Sequence, residues 1–303
     1  QAMWVFCKLT TGICTFNKHL VGKVVVVTDG YAGIGYETAK NLAERGARVI
    51  VACSNEEQGA TARDEIIAST GNRDVHYRQL DLASLASVRA FADGVIRDEK
   101  RLDILINNAS VYDTDYSKTE DGLLRGMQIN YFGPFLLTSL LLPLLKSSAP
   151  SRIINVSSIA HRTGVIDFDN LNMEKETTET YNYKQVYRNA KLCNVLMTVE
   201  LARKLESTGV TANISNPGVI AADVLGILQE SWMRYLIPVL KFFFKTPWEG
   251  AQTSIFLAVS PEVDDVSGKH YADCRKGNVS NLTQDKKTTQ KLWEVSESLV
   301  GIK

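Results

Sequence analysis

The stretch "KVVVVTDGYAGIG", Lys23 to Gly35, decides the fold. Its valine run reads as a strand buried on both faces, because unbroken β-branched residues suit a parallel sheet covered on each side. A glycine-bearing turn follows and opens into "YETAKNLAERG", a helical pattern. Strand, glycine-rich turn and helix form the layout that sets a nucleotide pyrophosphate on a helix N-terminus. Thr28 closes the strand, while Gly30, Gly33, Ile34 and Gly35 make the turn and the helix start. Position 29, where a tight turn favours glycine, holds an aspartate. Aspartate tolerates left-handed backbone better than most residues. The turn is therefore expected to survive, with the Asp29 carboxylate turned from the phosphates onto local backbone N–H groups.

Outward from this unit, apolar strand-like runs alternate with helical stretches. "ARVIVAC" (Ala47 to Cys53), "VHYRQLDL", "LDILINNA", "SRIINVSS" and "VTANISNPG" are the further strands. Helices are expected between them, including long ones at about Gly122 to Leu145 and Lys184 to Glu206. Regular alternation predicts one α/β domain of Rossmann type, a doubly wound parallel sheet with helices on both faces, over residues 21–303. Two segments depart from it. His161 to Tyr183 is polar and reads as a surface excursion. Val219 to Lys245 contains "WMRYLIPVLKFFFK", which fits a core helix broken at Pro238, a substrate loop (about 219–246) or a membrane-surface helix.

The chain has 303 residues, with 34 basic and 34 acidic side chains and no formal net charge. That balance argues against nucleic acid as a partner, which calls for a basic excess. Five scattered cysteines without a C-x-x-C pair argue against a disulfide framework or a zinc site and suit a reducing compartment. A cytoplasmic setting follows, with the cytosolic face of the endoplasmic reticulum as a place of association. The segment 1–20 is too polar to span a bilayer and lacks a signal-peptide layout. It is expected to touch a membrane peripherally, or to be partly foreign to the natural chain, since Gln1-Ala2 precede Met3. The sequon at Asn155 falls inside an expected strand.

The chemistry gathers at the carboxyl ends of the strands, where parallel sheets bind ligands. "YRNAK", Tyr187 to Lys191, places a phenol and an ammonium on one helix face. A phenol with an ordinary pKa of about 10 is a poor proton carrier at neutral pH, and a nearby ammonium lowers that value. Alone, such a pair is commonly two surface residues. "NVSS" puts Ser157 and Ser158 at a strand end, where a hydroxyl can donate to a substrate oxygen or simply cap a turn. At the end of the second strand a carboxylate would select NAD and a cation NADP. Cys53, Ser54 and Asn55 are neither, which leaves NADP(H) favoured over NAD(H) for want of a repelling carboxylate.

The ordered set of glycine-rich turn, "DL" (Asp81-Leu82), "NNA" (Asn107 to Ala109), "QINYFG", "NVSS", Y-x-x-x-K and "NPG" resembles the short-chain dehydrogenases/reductases over about residues 20 to 275. "INVSSIAH", "FKTPWEGAQTSIFLAV", "SGKHYADC" and "LWEVSESLVG" resemble the retinol dehydrogenase-like branch. The resemblance implies an oxidoreductase that passes hydride between a nicotinamide and a lipophilic alcohol, aldehyde or ketone such as a retinoid. It implies Tyr187 as acid/base and Lys191 as the residue that lowers its pKa and holds the nicotinamide ribose. Ser158 would orient the carbonyl, and Asn130 would hold a relay water. Asp81 and Leu82 match adenine contacts, Asn107, Asn108 and Ala109 the segment beside the adenine-side ribose, and Pro217, Gly218 and Val219 the turn beside the nicotinamide. Family members often pair through the two long helices, which makes a homodimer an expectation.

Departures from the family pattern cluster at the cofactor loop. Asp29 and Ser110 stand for glycines, Ser54 for the branch's basic residue, and the threonine usual after "NPG" is missing. They leave one alternative, a catalytically silent Rossmann-fold binding or scaffold protein with a degenerate loop. No metal site is expected.

Overall fold

The structure, a computed structural model, describes residues 11–112, 115–220 and 244–302. Strand β1 (Val24–Thr28), helix α1 (Gly33–Glu44), β2 (Arg48–Cys53), α2 (Glu56–Thr70) and β3 (Val75–Gln79) form the first half. They are followed by α3 (Leu85–Asp98), β4 (Ile104–Asn107), α4 (Arg125–Ser147), β5 (Ser151–Val156), α5 (Tyr183–Lys204) and β6 (Val210–Asn216). Helix α6 (Pro247–Val259), β7 (His270–Ala272), β8 (Arg275–Gly277) and α7 (Lys286–Leu299) close the chain. The eight-stranded sheet has the order β3-β2-β1-β4-β5-β6-β7-β8. All pairings are parallel except that of β8 with β7. The chain crosses from β3 to β4 on the far side of β1, so strand order reverses between β1 and β4. The resulting crevice at their carboxyl ends is where open α/β sheets take ligands. The expected doubly wound sheet is present.

Alternation along each strand sorts the core into two layers. Val25, Val27, Val49 and Val51 pack with Ala39 and Leu42 of α1 and with Ile255 and Val259 of α6. Val24, Val26 and Ile50 face Val88 and Phe91 of α3, with α4 and α5 continuing that layer. Helix α4 is long and apolar enough to cross a membrane by composition, yet most of it is buried inside the protein, which accounts for its apolarity. A π-helical turn over Gln128–Phe132 interrupts it. Nothing in the sequence pattern announced this turn, and such turns frequently mark functional positions.

Three features go beyond what the sequence pattern conveyed. Residues 11–20 belong to the body rather than to a separate segment. The Cys14 amide donates to Gln252 Oε1 at 3.1 Å, the Phe16 and Phe256 rings stand 6.0 Å apart, and Arg45 Nη1 donates to the Phe16 carbonyl at 2.7 Å. Helices α4 and α5 also receive contacts from α7 within the chain. Trp293 meets Phe135 edge-on at 4.8 Å, Tyr131 Oη lies 2.7 Å from Ser296 Oγ, and the Lys204 ammonium sits 4.9 Å from the Trp293 ring. The strands β7 and β8 and the helices α6 and α7 extend the fold past the alternation read from the sequence. Residues 232–243 of the aromatic segment lie outside the described residues, as do most of the expected substrate loop and residues 1–10. The two ends of the loop meet, because Ile220 pairs with Lys245 and the Lys245 amide donates to the Val219 carbonyl at 3.0 Å.

Candidate active site

The loop after β1 carries the backbone that the sequence foreshadowed. Asp29 has φ +49° and Gly33 φ +54°. At Gly35 a Cβ would stand 2.2 Å from the Asp29 carbonyl oxygen and 2.6 Å from Asn108 Nδ2, so only glycine lets α1 nest against the turn. At Gly33 a Cβ would meet nothing within 4 Å. Ala32 begins α1 with no side-chain capping bond and no acidic residue in the first turn. A helix end so prepared suits an anion. These features fit the pyrophosphate of a dinucleotide: an open cradle over Gly33 and a helix start without a competing carboxylate in its first turn. The Ile34 side chain lies close to Gly250 of α6.

Thr28 joins the two strands of the crevice. Its Oγ1 accepts from the amides of Asn108 and Ala109, each at 2.9 Å, while Asn108 Nδ2 donates to the Thr28 carbonyl at 3.1 Å. Asn107 points elsewhere: its Nδ2 donates to Thr138 Oγ1 at 2.9 Å and to Asn155 Oδ1 at 2.7 Å. Asn155 Nδ2 continues to Thr198 Oγ1 at 2.8 Å, so that sequon asparagine is a buried link between β5 and α5. The Asn107 side chain is therefore part of the core, and only its backbone borders the crevice. Asp81 accepts from the Ala83 amide at 2.8 Å, and Leu82 is buried. Ser54 is exposed beyond β2.

The Asp29 carboxyl accepts the Ser110 backbone N–H, and the Asp81 charge acts on it as well. Burial pushes its pKa up to about 6, the Ser110 N–H opposes the rise and Asp81 adds to it. The donor comes from the β4 loop, whereas the sequence reading expects the turn's own backbone. Ser110 Oγ donates to Asn130 Oδ1 at 3.1 Å, linking the second departed glycine to the helix asparagine.

Asn130 sits in the π-turn, buried. Its Oδ1 accepts from the Val111 amide at 2.8 Å and its Nδ2 donates to the Val111 carbonyl at 2.7 Å. Its own carbonyl accepts from Asn194 Nδ2 of α5 at 2.8 Å. The turn thus clamps the β4 loop to the helix that bears Tyr187 and Lys191. Lys191 is 1% exposed, and its Nζ donates to the Val156 carbonyl at 3.1 Å, two residues before Ser158. The same ammonium lies 5.4 Å from the Tyr187 ring centre. The serines of "NVSS" divide: Ser157 is buried and donates to the Lys191 carbonyl at 3.1 Å, whereas Ser158 is half-buried. A Cβ at Gly164 would come within 2.5 Å of the Arg188 carbonyl oxygen, so the chain leaving Ser158 lies directly on α5. Gly218, φ +83°, donates its amide to Asn216 Oδ1 at 3.0 Å, and Pro217 to Val219 carry the chain past the end of β6.

Sequence reasoning missed two groups beside this site. Tyr112 stacks edge-on against Tyr187, with ring centres 5.0 Å apart, and against Tyr183 at 5.5 Å. Lys245, 1% exposed, pairs with Asp273, and its Nζ lies 3.1 Å from where a Gly218 Cβ would stand. No motif spans either contact.

The profile of the short chain dehydrogenase family matches residues 23–170. Human retinol dehydrogenase 11 is 46% identical over 294 residues, covering 97% of this chain and 91% of that protein. The chain is a short-chain dehydrogenase. It is a nicotinamide-dependent oxidoreductase of the retinol dehydrogenase-like branch. A solved structure of an uncharacterized protein from Mycobacterium paratuberculosis superposes on this short-chain dehydrogenase with TM-score 0.73 and 30% identity, over 94% of this chain and 95% of that one. The Pseudomonas aeruginosa RhlG/NADP active-site complex gives TM-score 0.64 at 25% identity, over 85% of this chain and 96% of that one. The silent-scaffold alternative gains nothing from these likenesses.

Proposed function

We propose that this short-chain dehydrogenase interconverts a lipophilic alcohol with its aldehyde or ketone, a retinoid being the first candidate, with Tyr187 as general acid/base. The observation that carries the assignment is the buried Lys191 ammonium, directed at the Val156 carbonyl and 5.4 Å from the Tyr187 ring. A fixed cation one helical turn from a phenol stabilises the phenolate and makes proton transfer usable near neutral pH. When bound, the nicotinamide supplies or accepts the hydride. In reduction Tyr187 gives its proton to the carbonyl oxygen; in oxidation it takes the proton from the alcohol. Ser158 holds the same oxygen by a hydrogen bond, and Asn130 positions a water that reconnects the proton path to solvent. The Tyr112, Tyr183 and Tyr187 rings give one wall of the site an aromatic surface suited to a flat apolar chain.

NADP(H) is the favoured cofactor. Ser54 leaves the end of β2 without a carboxylate, and the RhlG relative is described with NADP. Asp29 opposes an additional phosphate when ionised, and its pKa of about 6 limits that opposition below neutral pH. Contact with a membrane surface is assigned to the aromatic segment between Ile220 and Lys245, and pairing of two copies to whatever surface α7 leaves uncovered. The test is a titration of NADPH and NADH followed by a carbonyl panel with the tighter one. Tyr187→Phe should lower kcat by about 10²- to 10⁴-fold while cofactor binding persists. Absence of carbonyl-dependent NADPH or NADH oxidation, or full activity in Tyr187→Phe, would overturn the assignment.

A further inference from the structure

The turn that follows Ser158 carries a buried histidine with no part in the proton path above. His161 lies in the 3-10 turn Ile159–Thr163 and is 1% exposed. Its Nδ1 stands 2.6 Å from the Ser158 carbonyl oxygen. A carbonyl only accepts, so Nδ1 carries the proton. The His161 amide donates to the same oxygen at 3.1 Å, and one residue therefore holds the Ser158 peptide from two directions. The Ser158 hydroxyl meanwhile accepts from the Ala160 amide at 3.3 Å. With carbonyl and Oγ both tied into the turn, the direction of the Ser158 hydroxyl follows from where the turn is pinned.

The pin is the His161 ring. It packs against His270 of β7, itself 2% exposed, with ring centres 5.3 Å apart and a tilt of 54°. His270 in turn fills the space over Gly277, where a Cβ would lie 2.7 Å from His270 Nδ1. On the opposite side Gly164 brings the exit of the turn onto α5. His161 Nε2 and both ring nitrogens of His270 are buried without a hydrogen-bond partner among the described residues. Leaving polar atoms so placed costs free energy, and a core free to choose would put apolar side chains there. What His161 does that an apolar residue could not is donate from Nδ1 to Ser158.

We propose that His161, seated on His270, is a positioning residue for Ser158, fixing through the Ser158 carbonyl the direction from which the hydroxyl meets the substrate oxygen. The role rests on the assignment of Ser158 to the substrate oxygen. A displacement of about 1 Å at a reacting group costs on the order of a hundredfold in rate, which sets the scale of the effect.

The test is steady-state kinetics with saturating NADPH and the panel aldehyde that the wild type reduces fastest, with NADPH binding followed by fluorescence. His161→Phe fills the ring's space but cannot donate. It should lower kcat by about ten- to a hundredfold, with KM and the NADPH Kd within about twofold of wild type. His161→Asn places an amide N–H where Nδ1 stands and should return kcat to within about threefold of wild type. His161→Gln, whose amide reaches the Nε2 position instead, should resemble the Phe variant and replaces it should His161→Phe fail to fold. In a Ser158→Ala background the donor-free variant should cost no further rate, because the two changes remove one interaction. An Asn variant no better than Phe or Gln, or a full additional loss in the Ser158→Ala background, overturns the proposal. Ser158→Ala with wild-type kcat overturns the assignment of Ser158 itself, and the positioning role with it.

Discussion

The Ser110 amide donates to the Asp29 carboxyl, so the two positions where this chain replaces family glycines are joined across the ends of β1 and β4. The Ser110 N–H opposes the rise in the carboxyl's pKa without outweighing burial, and with a pKa of about 6 Asp29 is mostly ionised at pH 7.5. An anionic cofactor then approaches a fixed negative charge. Asp29→Gly removes the charge and relieves the left-handed backbone. The Kd for NADPH should fall about tenfold at pH 7.5, and less at pH 5.5 where the wild-type carboxyl is already largely protonated. Calorimetry at both pH values reads this directly. Weaker binding in Asp29→Gly would make the carboxylate a cofactor ligand instead.

Asp29 and His270 pull stability in opposite directions over the same pH range. The folded state holds the Asp29 proton more tightly than the unfolded chain, up to about 6 against 3.8, so this group lowers stability as pH rises across that interval. Burial, then His161 and Arg162, lower the His270 pKa from 6.5 to about 4. The unfolded chain therefore takes that proton first, and stability is lost as pH falls through the window. Each shift corresponds to on the order of 3 kcal/mol, and the two nearly cancel. Urea midpoints at pH 4.5 and 6.5 should separate them. Relative to wild type, Asp29→Asn should lose stability on acidification and His270→Phe should gain it. Parallel behaviour of both variants would show that neither group titrates as described.

The two glycines of the loop should fail differently. Gly35→Ala drives a methyl to 2.2 Å from the Asp29 carbonyl oxygen, and α1 must shift. A loss of about 1–3 kcal/mol is expected before any cofactor is added. Gly33→Ala meets nothing within 4 Å and pays only for its φ of +54°, about 1–2 kcal/mol. Its methyl, however, enters the space over the cradle, so NADPH binding should weaken at least as much as in Gly35→Ala. Thermal melts with and without NADPH distinguish the two. A Gly33→Ala protein that binds NADPH normally would place the phosphates elsewhere.

The sheet was legible because β1, β2 and β4 carry continuous apolar runs, and the loop after β1 because Asp29 is a residue that accepts φ > 0. Strands β7 and β8 were not, because each has only three residues and β8, at the sheet edge, exposes Arg275 and Lys276. The π-turn at Asn130 leaves no mark on hydrophobic periodicity, since every residue from Gln128 to Phe132 is buried. Helix α7 could not be read as the cover of α4 and α5, because Trp293 and Phe135 are linked only by the finished fold. The same holds for the Asp29–Ser110 bond and for His161 against His270. Residue types at the site could be aligned one by one, whereas the contacts that orient them join distant parts of the chain.

Tyr112 presents its ring edge-on to Tyr187 at 5.0 Å and to Tyr183 at 5.5 Å, at interplanar angles of 72° and 86°. Aromatic pairs of this geometry contribute about 1 kcal/mol beyond their buried area. The same surface can take the face of a conjugated or isoprenoid chain, because the trio flanks the proposed acid/base rather than the cofactor loop. Tyr112→Ala should raise KM for retinaldehyde about five- to tenfold, as expected for losing one such contact, and leave KM for propanal nearly unchanged. Tyr112→Phe should keep the wild-type KM for both, since the wall needs the ring and not the hydroxyl. A fall in kcat shared equally by retinaldehyde and propanal would give Tyr112 another role, holding the Tyr187 ring in place, and would remove it from the substrate wall.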